Sequence, residues 1–332
     1  DTYNTAVGFN AGTAVTTGDR NTIVGGLAGD SLTTGQKNVA IGTGALSDDD
    51  VGSRSVAVGD SALAAQNFTT ATDSYNTAVG NNAGLAVTTG TQNTFIGGLA
   101  GDATVDSSNN TAVGYLALSA DSGGTSTAVG SNALEVATGF DNTAMGYAAG
   151  VAVTSGQNNL LLGHEAGRSG SPGGNITTHS NNVVLGDENI SAFYAQVALT
   201  VSSDERDKTD FVDLDLGLDF VKALEPITYY WDKRSKYGDK DADNYDLDNL
   251  TPDGTHKEDW MDVGFKAQSV STLEEAAGYK IADKKNLTVS LTEDGKQYGL
   301  KYEKFIPILV KAIQDQDAII QSLTARIVAL ES

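Results

Sequence analysis

The stretch YNTAVGFNAGTAVTTGDRNTIVGGLAGD (residues 3–30) returns almost unchanged as YNTAVGNNAGLAVTTGTQNTFIGGLAGD (residues 75–102). Within each copy a shorter unit, Asn-Thr-apolar-apolar-Gly, occurs twice. The short unit starts at Asn4, Asn21, Asn38, Ser55, Asn76, Asn93, Asn110, Ser126, Asn142 and Asn159, in steps of 17, 17, 17, 21, 17, 17, 16, 16 and 17 residues. A weaker copy, NVVLG, follows from Asn182. Three residues past the glycine of the first ten copies stands alanine: Ala11, Ala28, Ala45, Ala62, Ala83, Ala100, Ala117, Ala133, Ala149 and Ala166.

A fixed period over so many copies is the mark of a repeat architecture. Small and β-branched residues followed by glycine read as a short strand and a turn. The Thr-Thr-Gly or Thr-Ser-Gly triplets at 16–18, 33–35, 88–90 and 154–156 mark a second turn in each coil. A coil of this size cannot bury its own apolar side, but stacked coils cover one another. At a strand spacing of about 4.8 Å, ten rungs span roughly 50 Å. The expected core is thin, built from Ala, Val, Ile and Leu, and the recurrent Asn is expected to cap turns or to stack in ladders. Residues 1–190 are therefore read as a β-solenoid or β-roll, in a chain that is mainly β.

Composition narrows the function. The chain has 332 residues, no cysteine and a net charge of −22. Residues 1–198 carry 4 basic and 16 acidic side chains, and the rest carry 17 and 27. Neither part suits a phosphate backbone, so nucleic-acid binding is not expected. No apolar run approaches the ~20 residues of a membrane-spanning helix, so no membrane insertion is expected. The opening residues fall inside a motif, as expected of a piece of a longer chain.

The NTAVG and NVAIG strings resemble the repeats of trimeric autotransporter adhesin heads and of many bacteriophage tail fibres. That resemblance implies three chains, each winding a β-roll, packed side by side. The motif residues read as scaffold, because binding residues concentrate on irregular loops. Two spacers are longer than the rest, AAQNFTTATDS (64–74) and RSGSPGGNITTHS (168–180). Asn67, Phe68, Asn175 and His179 in them are the candidate receptor contacts.

After Lys208 the composition becomes that of a small α+β domain. LGLDFVKALEPITYYW (216–231) reads as a helix to Leu224, ended by Pro226, then a strand. WMDVGFKAQSVSTLEEAAGY (260–279) reads as strand then helix, and 285–305 as a hairpin turning at Asp294-Gly295. In the tail, Tyr302, Ile306, Leu309, Ile313, Gln316, Ile320, Leu323, Ile327 and Leu330 follow in alternating steps of four and three. That is the seam of a coiled coil over 302–330, with Gln316 the lone polar member after Tyr302. The competing reading is an amphipathic helix packed on its own domain.

The pieces SSDERDK, LGLDFVKALEPITYYW, VGFKAQSV and YEKFIPILVKAIQDQDAIIQSL resemble, in content and order, the intramolecular chaperones of the endosialidase type. These are self-cleaving C-terminal domains of phage tail fibres and tailspikes. The resemblance implies a linker over 191–202, a chaperone domain over 203–332, a homotrimer, and a cut between Ser202 and Ser203. Matched to the family's S-D-x-R-x-K motif, the nucleophile is Ser203 and the base Lys208. A serine hydroxyl attacks only when a base removes its proton. A separation of five puts two residues on opposite faces of a strand, or about 140° apart on a helix, so the chain must bend between them. Asp207 stands where the family pattern is often apolar or aromatic. A carboxylate beside a lysine stabilises the ammonium and weakens it as a base, so cleavage is expected to be slow unless Asp207 points away.

No cofactor is expected. DKDADNYDLDNL (239–250) has acidic residues at EF-hand spacing but lacks the Gly and Glu such a loop needs, and reads as an acidic insertion. His164, His179 and His256 show no ligand spacing, so no metal site is expected. The whole reads as the end of a trimeric phage tail fibre. On that reading it is assembled in the host cytoplasm, carried on the virion, joined to upstream fibre segments and directed to a cell-surface glycan or protein. The alternatives are a bacterial trimeric adhesin, or a fibre that keeps its chaperone uncleaved as a cap. An enzyme acting on polysaccharide would require Asp19, Asp102 and Glu135 to converge.

Overall fold

A computed structural model describes residues 3–242 and 244–331. The chain divides into two compact units. One runs to Ile190 and takes in Lys240–Ala242, and the other comprises Ser191–Asp239 and residues 244–331.

The first unit is the expected solenoid. Eleven three-residue strands stack in chain order into one parallel sheet: Thr5–Val7, Thr22–Val24, Val39–Ile41, Val56–Val58, Thr77–Val79, Thr94–Ile96, Thr111–Val113, Thr127–Val129, Thr143–Met145, Leu160–Leu162 and Val183–Leu185. Equivalent residues pair across rungs, as Thr22 with Val39 and Ala78 with Phe95. The register of the sequence repeat is thus the register of the sheet. The middle residue of each strand after the first points inward and is buried, from Ile23 to Val184. The alanines three residues past the glycine, from Ala28 to Ala166, are buried beside it. Leu32, Leu46, Leu63, Val87, Leu118, Leu134, Ala137, Val153 and Ile176 complete the core.

Close stacking explains the glycine. Gly8 has φ +141°, and a Cβ there would run into the carbonyl of Gly25 on the next rung. Only glycine tolerates both the conformation and the approach. The alanine turns are also bonded rung to rung, as Gly29 N to Ala45 O at 2.9 Å, and so are the threonine turns, as Thr16 N to Thr33 O at 2.9 Å.

The asparagines form a buried ladder. Oδ1 of Asn21 accepts from the backbone N of Asn38 at 2.9 Å, and Nδ2 of Asn21 donates to Gly35 O at 2.9 Å. The same two bonds recur at Asn4, Asn38, Asn76, Asn93, Asn142 and Asn159. Each Asn thereby satisfies polar backbone groups that the solenoid interior hides from water.

The ladder breaks where Ser replaces Asn. At Ser55 a buried group substitutes for it. Gln66 Nε2 donates to Asp49 Oδ2 at 2.6 Å and to Ser55 Oγ at 2.8 Å, while Gln66 Oε1 accepts from Asn76 Nδ2 at 2.8 Å. The spacer 64–74 is therefore partly core. At Ser126 the hydroxyl still accepts from Asn142 N at 3.3 Å, and only the donating half is lost: after a coil one residue shorter, Asn110 Nδ2 is buried with no partner among the described residues.

In the second unit, α1 (Leu218–Ala223) precedes a strand, Ile227–Tyr229, that pairs antiparallel with Asp262–Gly264. Helix α2 (Ala267–Ala276) follows, then the hairpin Val289–Leu291 with Tyr298–Leu300, turned at Asp294-Gly295, and α3 (Phe305–Glu331). Leu216, Phe220, Val270, Val289, Phe305 and Ile308 form its core. Asp315 on α3 accepts from Leu218 N at 3.1 Å and so caps α1. Glu274 on α2 is buried and accepts from Leu287 N at 3.1 Å and Thr288 N at 2.6 Å, fixing the hairpin.

Helix α3 has two faces. Phe305, Ile308 and Ala312 pack on the unit's own core. The residues of the expected seam, Ile306, Leu309, Ile313, Ile320, Leu323, Ile327 and Leu330, are 45–87 % exposed, and Gln316 is exposed with them. Tyr302 departs from the expectation: it lies in a 3₁₀ turn (Tyr302–Lys304) before the helix, and its hydroxyl accepts from Phe265 N at 3.3 Å. The helical seam therefore starts at Ile306.

Candidate functional site

Residues 191–203 are exposed and without regular structure, and the turn that follows holds the candidate site. Asp204 opens a 3₁₀ turn over Glu205–Asp207, its Oδ1 accepting from Arg206 N at 2.9 Å. Lys208 N closes the turn on Glu205 O at 3.1 Å. This is the bend that the spacing requires. It carries Lys208 Nζ to 2.6 Å from Ser203 Oγ and 3.1 Å from Ser203 O. The two side chains that the family motif singles out thus stand in hydrogen-bond contact, the geometry that a hydroxyl and a base acting on it need.

The Arg206 guanidinium grips the same Asp204 carboxylate, with Nε 3.0 Å from Oδ1 and Nη2 2.6 Å from Oδ2. These bonds hold the Asp204 carboxyl below the usual carboxylate range. Asp207 makes no ion pair with Lys208 among the described residues. Ser203 and Lys208 are both exposed in the single chain.

The other sequence candidates fare differently. Phe68 is buried, with only 5 % exposure, because the spacer folds it under the coil, so it presents no side chain to a receptor. Asn67 beside it is exposed. Asn175 and His179 are half-buried, and His179 O accepts from Asn159 Nδ2 at 2.9 Å, at the end of the ladder. Asp246 in the acidic insertion is committed to Lys296 at 2.6 Å.

One grouping escaped the sequence. His164, Glu165 and Asp187 bring ligand-type atoms within 4.8 Å of one another, since residues 23 apart face each other across one long coil. The carboxylates are already engaged. Glu165 pairs with Arg168 at 2.6 Å and with Lys240 at 3.2 Å, and Asp187 accepts from Asn189 Nδ2 at 2.9 Å. The arrangement is an ion-pair network, with His164 stacked on Tyr147 at 5.3 Å. Asp19, Asp102 and Glu135 form no such grouping among the described residues.

Comparison with curated proteins gives no match, and comparison with solved structures gives none. A protein-family comparison does match: residues 203–279 fit the peptidase family described as "Chaperone of endosialidase", and the match opens on Ser203 itself.

Proposed function

We propose that this chain is the C-terminal part of a trimeric phage tail fibre whose last unit aligns three solenoids and then cuts itself free between Ser202 and Ser203. The observation that carries this reading is the 2.6 Å contact of Lys208 Nζ with Ser203 Oγ at the first residue of the family match.

The chemistry balances with this chain's own groups. Lys208, as the free amine, takes the proton of Ser203 Oγ, and the oxygen attacks the carbonyl carbon of Ser202. The bond from that carbon to Ser203 N breaks as the nitrogen takes a proton from Lys208. An ester of Ser202 on Ser203 Oγ remains, and water hydrolyses it. The products are a carboxyl at Ser202 and an amine at Ser203. Because both side chains are exposed in one chain, the wall that excludes water is assigned to neighbouring chains, so assembly precedes the cut. The enzyme acts once, and needs no cofactor.

Trimerisation is supported by two uncharged faces. The first is the helix seam from Ile306 to Leu330. The second is the outer face of the solenoid, where the first and third residues of all eleven strands carry no charge in a chain of −22. That stripe offers roughly 500 Å² of footprint, of the order of the ~800 Å² each partner buries in a standard interface. Near-identical rungs allow pairing one repeat out of step at little penalty. A domain that trimerises first removes that freedom by tethering three ends. Release then leaves a fibre held by its unfolding barrier. The cell-surface partner, a glycan or a protein, is assigned to exposed loops such as that at Asn67.

Mass spectrometry of the purified protein beside Ser203→Ala and Lys208→Ala tests the reading. The wild-type chain is expected as two fragments meeting at Ser202–Ser203, and each variant as one. A wild-type chain that stays intact after assembly overturns the cleavage, leaving a retained cap. A monomer in solution overturns the fibre.

A further inference from the structure

Arg206 and Asp204 are not needed to account for the proposed cut, yet they make the densest set of side-chain bonds in the segment. Three observations define their task. The turn that joins Ser203 to Lys208 is capped by Asp204 Oδ1. Both oxygens of that carboxylate are taken by Arg206, whose Nε also reaches Oδ2 at 3.3 Å. Lys208 Nζ, four residues from Asp204, bonds to Ser203 and, among the described residues, to no carboxylate.

A lysine ammonium beside a carboxylate is held protonated and is a poor base. Asp204 adjoins the nucleophile, so it is the anion best placed to capture Lys208 once freed. The charged neighbours are Glu205, Asp207 and Asp210 on the same segment. Among the described residues no charged group outside 203–210 is bonded to Asp204, Arg206 or Lys208. An Arg fork holds a planar carboxylate in two parallel bonds, where a lysine makes one point contact. Arg206 therefore outcompetes Lys208 for Asp204.

We infer that Asp204 and Arg206 are positioning residues for the self-cleavage. Asp204 sets the turn that aligns Ser203 with Lys208, and Arg206 occupies the Asp204 carboxylate so that Lys208 faces the hydroxyl. This rests on the Ser203–Lys208 reading above.

The test is the rate of self-cleavage of the full chain across pH, followed by mass spectrometry, for wild type, Arg206→Ala, Asp204→Asn and the double variant. Asn at 204 keeps an Oδ1 to cap the turn but removes the charge. Arg206→Ala is expected to move the midpoint of the pH–rate profile up by about one unit or more. Below the midpoint that is a loss of about tenfold, since the rate follows the free-amine fraction. Asp204→Asn is expected to keep the wild-type midpoint, and adding it to Arg206→Ala to restore that midpoint. An unchanged midpoint in Arg206→Ala overturns the inference, as does a slowed Arg206→Ala that Asp204→Asn fails to rescue, which marks a merely structural turn. A wild-type chain that is never cut sinks the cleavage reading and this inference with it, whereas a cut wild type with an indifferent Arg206→Ala sinks the inference alone.

Discussion

Gln66 Nε2 lies 2.6 Å from Asp49 Oδ2 inside the solenoid, at the rung where Ser55 interrupts the asparagine ladder. Asp49 Oδ1 accepts from Gly52 N at 2.9 Å, and Gln66 also reaches Ser55 and Asn76. Ser74 Oγ stands in for the missing Asn Oδ1 by accepting from Asn76 N at 3.4 Å, and the spacer side chain Gln66 ties the buried Asp49, Ser55 and Asn76 side chains together. Gln66→Ala strips a fully buried carboxylate of a donor, a loss of about 1–3 kcal/mol. Urea denaturation of the full chain is expected to show it as a lower midpoint. An unchanged midpoint shows that the network is dispensable.

Burial pushes the Asp49 carboxyl above its usual range, against the donors from Gln66, Gly52 and Phe68. The native pKa then exceeds the unfolded one, near 3.8. At neutral pH the native state carries the full cost of the buried charge. As pH falls through the native pKa, the folded chain binds its proton first and that cost is relieved. The stability of wild type relative to Asp49→Ala is therefore expected to rise on acidification toward pH 4. Melting curves of the two proteins at several pH values check the sign, and a relative loss in acid contradicts it.

Asn93 Oδ1 accepts from Asn110 N at 2.9 Å and Asn93 Nδ2 donates to Ser107 O at 2.9 Å. Asn93→Ala orphans both backbone groups in the interior, at about 1–3 kcal/mol each. Hydrogen exchange at residues 107–111 is expected to accelerate well beyond that at residues 22–24. Equal exchange before and after the change shows the ladder to be ornamental.

Much of this was legible because strand, glycine and asparagine recur at one spacing, and in a solenoid spacing becomes contact. Residues that depart from the repeat were not. Gln66 and Phe68 sit in a polar spacer that reads as a loop, and only three dimensions show the spacer turning inward where Ser55 replaces an asparagine. His164 and Asp187 meet because a coil of 23 residues sets them face to face, which local pattern does not reveal. Ser203 and Lys208 were legible through a family motif, since their spacing alone argues against contact. Asp204 is what reverses the chain between them. Tyr302 fits the heptad count, but its hydroxyl is held by Phe265 N, and a Cβ on Gly264 would collide with it.

Asp207 was expected to interfere with Lys208. It makes no ion pair with it among the described residues, and Lys208 Nζ is turned to Ser203. Asp207→Leu is therefore expected to be cut at about the wild-type rate. A clear acceleration in timed mass spectrometry reinstates the interference.

The two faces of α3 separate folding from assembly. Ile308 is 2 % exposed against the unit's own core, while Ile313 is 66 % exposed on the seam. Ile308→Ala empties a packed site, which costs about 2–5 kcal/mol, and is expected to lower the melting temperature. Ile313→Asp removes nothing from that core, but it places a charge where three seams are proposed to meet, and desolvating an unpaired carboxylate there is prohibitive. Sedimentation analysis is expected to find the Ile313→Asp chain monomeric with near-native circular dichroism, and uncut if assembly precedes scission. A trimer that survives Ile313→Asp assigns the seam to some other contact. A monomer that still cuts itself places the whole active site within one chain.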